Sequence, residues 1–449
     1  MRTVSRFGLV PDKSLAVVTA LVCGITLLPG SWDAARWGIR YPTSLLALGS
    51  VWVLLLFVVA RRGTIRTTPG LPWLYALSAM IVAHGVVLQP VVGPGTEAGA
   101  FVLSQPTALA LQFLIPVGVY LGVVQSDADT RGVPLAAKML VIVGGIHIGL
   151  GVLFAVAPGW ASSVAPFEVV EESVLRLRSQ LGTGGLAVLL MTTVPLAAAF
   201  AISPTHRADR AFGVTLLVFL STGLLLTNSR AQVIALVLST LLVLFVSLVT
   251  WRRSAMIRGW RWALVGVVAV TVSWFVAVRV GALSLMDPGR LLRLGVRSDH
   301  SRLERWQTLW GRLNERPLVG HGWGRGRSGE LAEGATSLRG VGLLDPHSVL
   351  GVAMEEMGLL GAIIILGLGT SVAAIVFRTV KGAHKRERPC NVLCIAFSIS
   401  LLAVVIHSLV SSQLLHFPRT SAVMWLVGGI VVAYSRSVPP EHPPREVRA

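Results

Sequence analysis

The chain has 449 residues, 53% of them hydrophobic and 13% charged, with a mean hydropathy of +0.72. A soluble globular domain carries about 25% charge, so a water-soluble fold is excluded and an all-α polytopic membrane protein is expected. The net charge of +18 could suit nucleic acid, but no basic stripe with interleaved aromatics lies on a soluble domain; topology and anionic lipid explain the positive residues better.

Twelve apolar runs of roughly spanning length lie at 14–29, 43–60, 71–90, 107–125, 135–157, 182–202, 212–228, 231–250, 262–281, 347–377, 392–411 and 419–435. The first follows Arg2, Arg6 and Lys13, the layout of a signal peptide, yet the many later runs favour an uncleaved first helix. His84, His147 and His407 fall inside apolar runs and read as hydrogen-bonded packing residues. Cys23, Cys390 and Cys394 are too few for a disulfide framework and lack zinc spacing, so they read as packing thiols.

A connection at 158–181 carries Arg176 and Arg178 just ahead of QLGTGG and the sixth run. Arg178 is either an ordinary flanking charge or part of an anion site. At Thr227-Asn228-Ser229-Arg230 one run ends and the next begins at once. Arg230 at that hairpin either snorkels to the interface or clamps an anion.

Between positions 279 and 339 the chain places eleven arginines and no lysine. Guanidinium forks grip phosphate oxygens bidentately, where an ammonium offers a point charge. Within SRLERWQTLWGRLNERPLVGHGWG (301–324), apolar residues at 303, 306, 309, 310 and 313 predict a helix over Ser301–Glu315. Ser301 with Glu304 forms a capping box, and Arg302, Arg305 and Arg312 fall on the opposite face. Pro317 ends the helix and GHGWGRG reads as a flexible turn. An amphipathic helix lying over the membrane mouth is expected.

His347 stands where this loop meets the next apolar run. Its imidazole is suited to general-base work near neutral pH, and the other reading is a histidine capping the helix. The run from His347 to Phe377 exceeds the ~20 residues of a span. Its first two turns can therefore stand above the hydrocarbon or line a cavity, placing Glu355 and Glu356 near the outer interface. His321 and His416 are external without comparable context. The loop's acidic residues are irregularly spaced and outnumbered, and arginine can neutralise phosphate without a metal. Neither a metal nor another cofactor is expected.

With a cytoplasmic N-terminus, inner segments hold 22 lysines and arginines and outer segments 17, and all four lysines (Lys13, Lys138, Lys381, Lys385) fall inside. The outer positives concentrate in the long loop, which the positive-inside rule discounts. The expected organisation is a polytopic domain over 1–435 with both ends cytoplasmic, a large external loop at 282–346, and a disordered proline-rich tail at 436–449.

The stretch SRLERWQTLWGRLNERPLVGHGWGRG…DPHSVLGVAMEEMGLLG resembles the signature of the O-antigen ligase/polymerase superfamily. That signature has the form S-G-R-x-x-x-W, H-P-L-x-G-x-G, then H-N-x-x-L…E-x-G-L-x-G. LLTNSRAQVIAL is similar to the family's T-x-S-R-[GA] hairpin, and LRLRSQLGTGGLA to its R-x-x-G segment; together the resemblance covers roughly 170–375. Ser348 stands where the family has Asn, no Asn follows Gly182, and Arg316-Pro317 replaces His-Pro.

The resemblance implies a GT-C-like membrane-embedded glycosyltransferase, inverting and metal-independent, in the bacterial plasma membrane with its site on the external face. Its donor would be a glycan on polyprenyl (undecaprenyl) pyrophosphate, and its acceptor a hydroxyl of a glycan, lipid or protein. By the same resemblance the catalytic residues are His347, Arg302 and Glu356, with Arg178, Arg230 and Arg305 binding the pyrophosphate. Three other readings stay open: a polymerase of the same superfamily, a transporter or lipid flippase, and a wall-assembly scaffold. Against the transporter, the sequence shows no inverted repeat with paired broken helices.

Overall fold

The computed structural model describes residues 14–28, 49–56, 59, 66–87, 105–126, 132–157, 177, 179, 181–203, 207–227, 229–250, 306–307, 309–323, 348–383, 388–411, 415 and 418–436. The long helices, in chain order, are α1 Ser14–Leu27, α2 Leu71–Val82, α3 Gln105–Gln125, α4 Gly132–Val156, α5 Gly182–Ile202, α6 Arg207–Leu226, α7 Arg230–Thr250, α8 Val349–Ala383, α9 Arg388–Ser408 and α10 Pro418–Arg436. Helix α2 continues into a π turn over Ala83–Val87. Residues 49–56 are also helical, within the expected second span, and no strand occurs among the described residues. The expected ninth span, 262–281, and the tail beyond Arg436 lie outside them.

Helices are what an apolar chain must form where water cannot satisfy its backbone. Among the described residues, five helices are long and apolar enough to cross a membrane: Gly132–Phe154, Gly184–Ile202, Arg207–Leu226, Val349–Ala383 and Asn391–Ser408. The outward faces stay apolar, as on α8, where Leu359, Leu360, Ile363 and Leu366 are exposed. Small residues let the backbones close up: a Cβ at Gly213 of α6 would come within 2.4 Å of the Ala201 nitrogen, and one at Gly223 within 2.3 Å of Ile148.

Polar contacts sort the helix ends into two layers. At the lower end Ser14 donates to Ser126 (2.8 Å), Lys138 pairs with Asp209 (2.7 Å), and Arg436 donates to the Thr67 carbonyl (2.6 Å). At the upper end Arg419 donates to the Leu28 carbonyl (2.7 Å), Thr107 to the Gly85 carbonyl (2.8 Å), and the Leu177 amide to the Leu226 carbonyl (3.0 Å). Every described long helix thus runs from one layer to the other. The starts of α3, α5, α7, α8 and α10 share the upper layer with the ends of α1, α2, α4, α6 and α9. That layer holds the candidate site.

Candidate functional site

Helix α8 breaks at Gly358, whose φ of 66° and ψ of −160° lie outside helical space. In an unbroken helix the amides of residues 359 and 360 would donate to the carbonyls of 355 and 356. The break frees all four groups, and the loop takes every one. The His321 amide donates to the Glu355 carbonyl (2.9 Å) and the Gly322 amide to the Glu356 carbonyl (3.0 Å). In return, the Leu359 amide donates to the Pro317 carbonyl (2.8 Å) and the Leu360 amide to the Leu318 carbonyl (3.4 Å). Unpaired backbone groups are costly in such a setting, so the kink and the loop complete each other.

Glycine makes this clasp possible. A Cβ at Gly320, itself at φ 67°, would lie 2.6 Å from the Met357 and Gly358 nitrogens. One at Gly358 would lie 2.4 Å from the Leu318 carbonyl. Both the positive φ and the backbone contact exclude a side chain. The PLVGHG and EMGLLG pieces, thirty-odd residues apart in sequence, are therefore two halves of one joint. GHGWGRG is accordingly no flexible turn over its described part, 320–323: the amides of Gly320, His321 and Gly322 are all bonded.

The segment before the clasp is helical over 309–315 and ends ahead of Pro317, as expected; residues 301–305, with the predicted cap, lie outside the described residues. Its apolar face is turned onto α8, where Leu309 and Leu313 bury against Met354 and Ala362, with Trp306 and Leu350 alongside. Trp310, assigned to that stripe from sequence, is 53% exposed instead. Arg312 departs from the expected solvent face: its Nη1 meets Glu355 Oε1 at 2.6 Å. A carboxylate as buried as Glu355 needs such a partner. His321 ties the turn to the helix, its Nε2 lying 2.9 Å from the Arg312 carbonyl and 3.7 Å from Glu315 Oε2.

Trp323 then anchors the loop in the bundle. It is fully buried, edge-on to Phe113 of α3 at 6.1 Å, and Phe113 in turn meets Trp425 of α10 at 6.3 Å. Sequence reasoning singled out neither His321 nor Trp323. Both lie in the glycine-rich run, the one local signal that the chain there makes a close approach rather than a free loop.

Of the site residues expected from sequence, Arg178, Arg302, Arg305 and His347 lie outside the described residues. Arg230 opens α7, and of it only the backbone is described. Their neighbours are described. Leu177 is bonded to the end of α6, and Ser179 Oγ lies 3.2 Å from Nδ1 of the buried His147. Ser229 bonds the Gln232 side chain, whose Nε2 lies 3.5 Å from His407 Nε2. Ser348 is buried and its hydroxyl accepts the Gly351 amide at 3.3 Å, an N-cap of α8. His347, with the capping role allowed for it from sequence, lies outside the described residues.

Glu356 is 2% exposed, and its neighbour Glu355 is 4% exposed. The clasp covers both, because the loop backbone lies across the turn that carries them.

These features define a multi-pass helical protein whose upper layer mounts an arginine-bearing loop on a broken helix. Residues 215–366 match the family model described as O-Antigen ligase. That segment, from within α6 through the clasp, is similar to the O-antigen ligase/polymerase superfamily, whose members are glycosyltransferase-like enzymes. A search of curated proteins gave no match.

Proposed function

We propose that the upper layer transfers a glycan from polyprenyl pyrophosphate to an acceptor hydroxyl, in the manner of an O-antigen ligase. The family match supports the reaction class, and the clasp is the observation that carries the site. It ties residues 317–322, which follow Arg302 and Arg305 in sequence, to residues 355–360 of α8, which follow His347.

In this reading Arg178, Arg230, Arg302 and Arg305 hold the pyrophosphate and spread the charge that develops as the sugar C1–O bond breaks. His347 takes the proton of the incoming hydroxyl, which attacks from the opposite face and inverts the anomeric centre. The departing lipid pyrophosphate carries the electron pair away. Guanidinium groups supply the neutralising charge, so the reaction is metal-independent. Glu356, buried under the clasp, acts by positioning rather than by touching the sugar. The protein is a GT-C-like enzyme with twelve spans over 1–435, its 282–346 loop external and its 436–449 tail cytoplasmic. Arg66, Lys138, Arg207, Arg210, Lys381 and Arg436 at the lower end favour a cytoplasmic lower face. That orientation puts the site outside a bacterial plasma membrane.

A polymerase of the same superfamily differs in acceptor alone, and the matched family fits both. The test is reconstitution in nanodiscs with undecaprenyl-pyrophosphate glycolipids extracted from the source membranes. Glycan transfer with release of lipid pyrophosphate, unchanged by chelator, is expected. Transfer onto a second lipid-linked glycan identifies a polymerase. Movement of the glycolipid between leaflets with no transfer overturns the enzymatic reading.

A further inference from the structure

Helices α4 and α6 lock together just beneath the upper layer. A Cβ at Gly223 of α6 would lie 2.3 Å from the Ile148 side chain of α4, and one at Gly144 would lie 3.0 Å from Leu220. At the end of α6 the Leu226 carbonyl takes the Leu177 amide at 3.0 Å. Ser179, next but one to Leu177, brings its Oγ to 3.2 Å from Nδ1 of His147, the residue before Ile148. The contacts therefore close a ring: α4 on α6, the end of α6 on Leu177, and Ser179 back on α4.

Both members of the closing contact are fully buried. The Ser179 hydroxyl also accepts the Leu181 amide at 3.2 Å, which leaves its own proton to donate to Nδ1. The opposite ring nitrogen, Nε2, has no hydrogen-bond partner among the described residues. A leucine would fill this space without burying an unpaired nitrogen, so packing does not account for an imidazole inside a span. Its bond to Ser179 does. Leu177 and Ser179 are the two neighbours of Arg178 in sequence, and Leu226 ends the helix ahead of the turn into Arg230.

We propose that His147 is a positioning residue: through the Ser179 hydroxyl it holds residues 177–181 against the end of α6, setting where the chain presents Arg178 relative to the α6–α7 turn. Its effect on the reaction rests on the glycan-transfer reading above. The hold itself stands on the ring of contacts.

The experiment compares His147→Leu, His147→Asn, Ser179→Ala, Arg178→Ala and the His147→Leu/Arg178→Ala double variant in the full-length protein in nanodiscs. Release of lipid pyrophosphate from extracted undecaprenyl-pyrophosphate glycolipids, melting temperature and hydrogen exchange at the Leu177 amide are measured. His147→Leu and Ser179→Ala are each expected to speed Leu177 exchange and to lower kcat about ten- to hundredfold, the scale of a misplacement of about 1 Å. His147→Asn, whose amide can take the place of Nδ1, restores most of the rate, and the double variant is no slower than Arg178→Ala alone. A native rate for His147→Leu beside a slow Arg178→Ala overturns the proposal, as do unchanged Leu177 exchange and losses that multiply in the double variant. If His147→Leu melts too low to assay, Ser179→Ala, which removes one hydroxyl, decides by the same readings. If Arg178→Ala keeps the native rate, or the native protein transfers no glycan, the donor-site reading of Arg178 fails. The hold is then judged on exchange alone, where faster exchange at Leu177 supports it and unchanged exchange ends it.

Discussion

Arg312 and Glu355 meet at 2.6 Å across the joint between the loop helix and α8, with the Glu355 side chain 6% exposed and the Arg312 side chain 27% exposed. The same two residues also bracket His321, whose Nε2 lies by the Arg312 carbonyl and whose amide donates to the Glu355 carbonyl. One ion pair and two backbone contacts therefore lock a loop to a helix break that neither could sustain alone. Removing either charge takes an ion-pair partner from the other in a poorly solvated site.

Arg312→Ala is accordingly expected to destabilise the clasp by about 3 kcal/mol, the cost of removing one partner of a buried ion pair. Glu355→Gln should cost less, since it removes the buried charge and keeps an acceptor. Thermal melting in detergent, with limited proteolysis across 309–323, ranks the two. Equal melting temperatures for both variants and the native chain would remove the ion pair from the account.

Gly320→Ala and Gly358→Ala should each be severe, because a Cβ would press on backbone at 2.6 and 2.4 Å from a positive-φ position. At least about 2 kcal/mol is expected from strain of this kind, read as a lower melting temperature and faster cleavage of the loop. Gly311→Ala is the control. Its Cβ meets nothing within 4 Å, and in a helix alanine gains up to about 1 kcal/mol over glycine.

Trp323→Ala removes a fully buried indole from the contact with Phe113. Large-to-small changes of this size cost about 3–5 kcal/mol. Trp323→Phe should recover part of the loss, because the edge-on contact survives with a smaller ring. Hydrogen exchange of the 318–323 amides reports the result, and unchanged protection in Trp323→Ala would count against the anchor.

For the reaction itself, Arg230→Ala and Arg178→Ala are each expected to lose about 2–4 kcal/mol of transition-state stabilisation, by analogy with oxyanion donors. That corresponds to roughly thirty- to thousand-fold in kcat at 1.4 kcal/mol per factor of ten. Lysine at either position should rescue little, since it lacks the bidentate fork. His347→Ala should abolish acceptor-dependent turnover while leaving binding of the donor glycolipid intact. A native rate in His347→Ala would falsify the general-base role.

The residues that were legible in sequence are those whose meaning is local. Apolar runs of spanning length mark helices because the backbone must satisfy itself in hydrocarbon, and α1, α5, α8 and α10 begin within two or three residues of their expected starts. The helix ahead of Pro317 was readable from its periodicity. Its partner was not. Leu309, Leu313 and Arg312 all turn to α8, a preference that heptad-like spacing alone cannot express.

By itself, then, the chain's composition determined a multi-pass helical protein, and its arginine, glycine and histidine patterning pointed to the superfamily that residues 215–366 match. Only the tertiary structure decided that PLVGHG and EMGLLG form one joint, that Glu355 belongs to Arg312, and that Ser348 caps α8. The reason is physical. A helix break exposes donors and acceptors whose replacements must come from elsewhere in space, and a one-dimensional pattern records the glycines that permit the approach without recording what approaches.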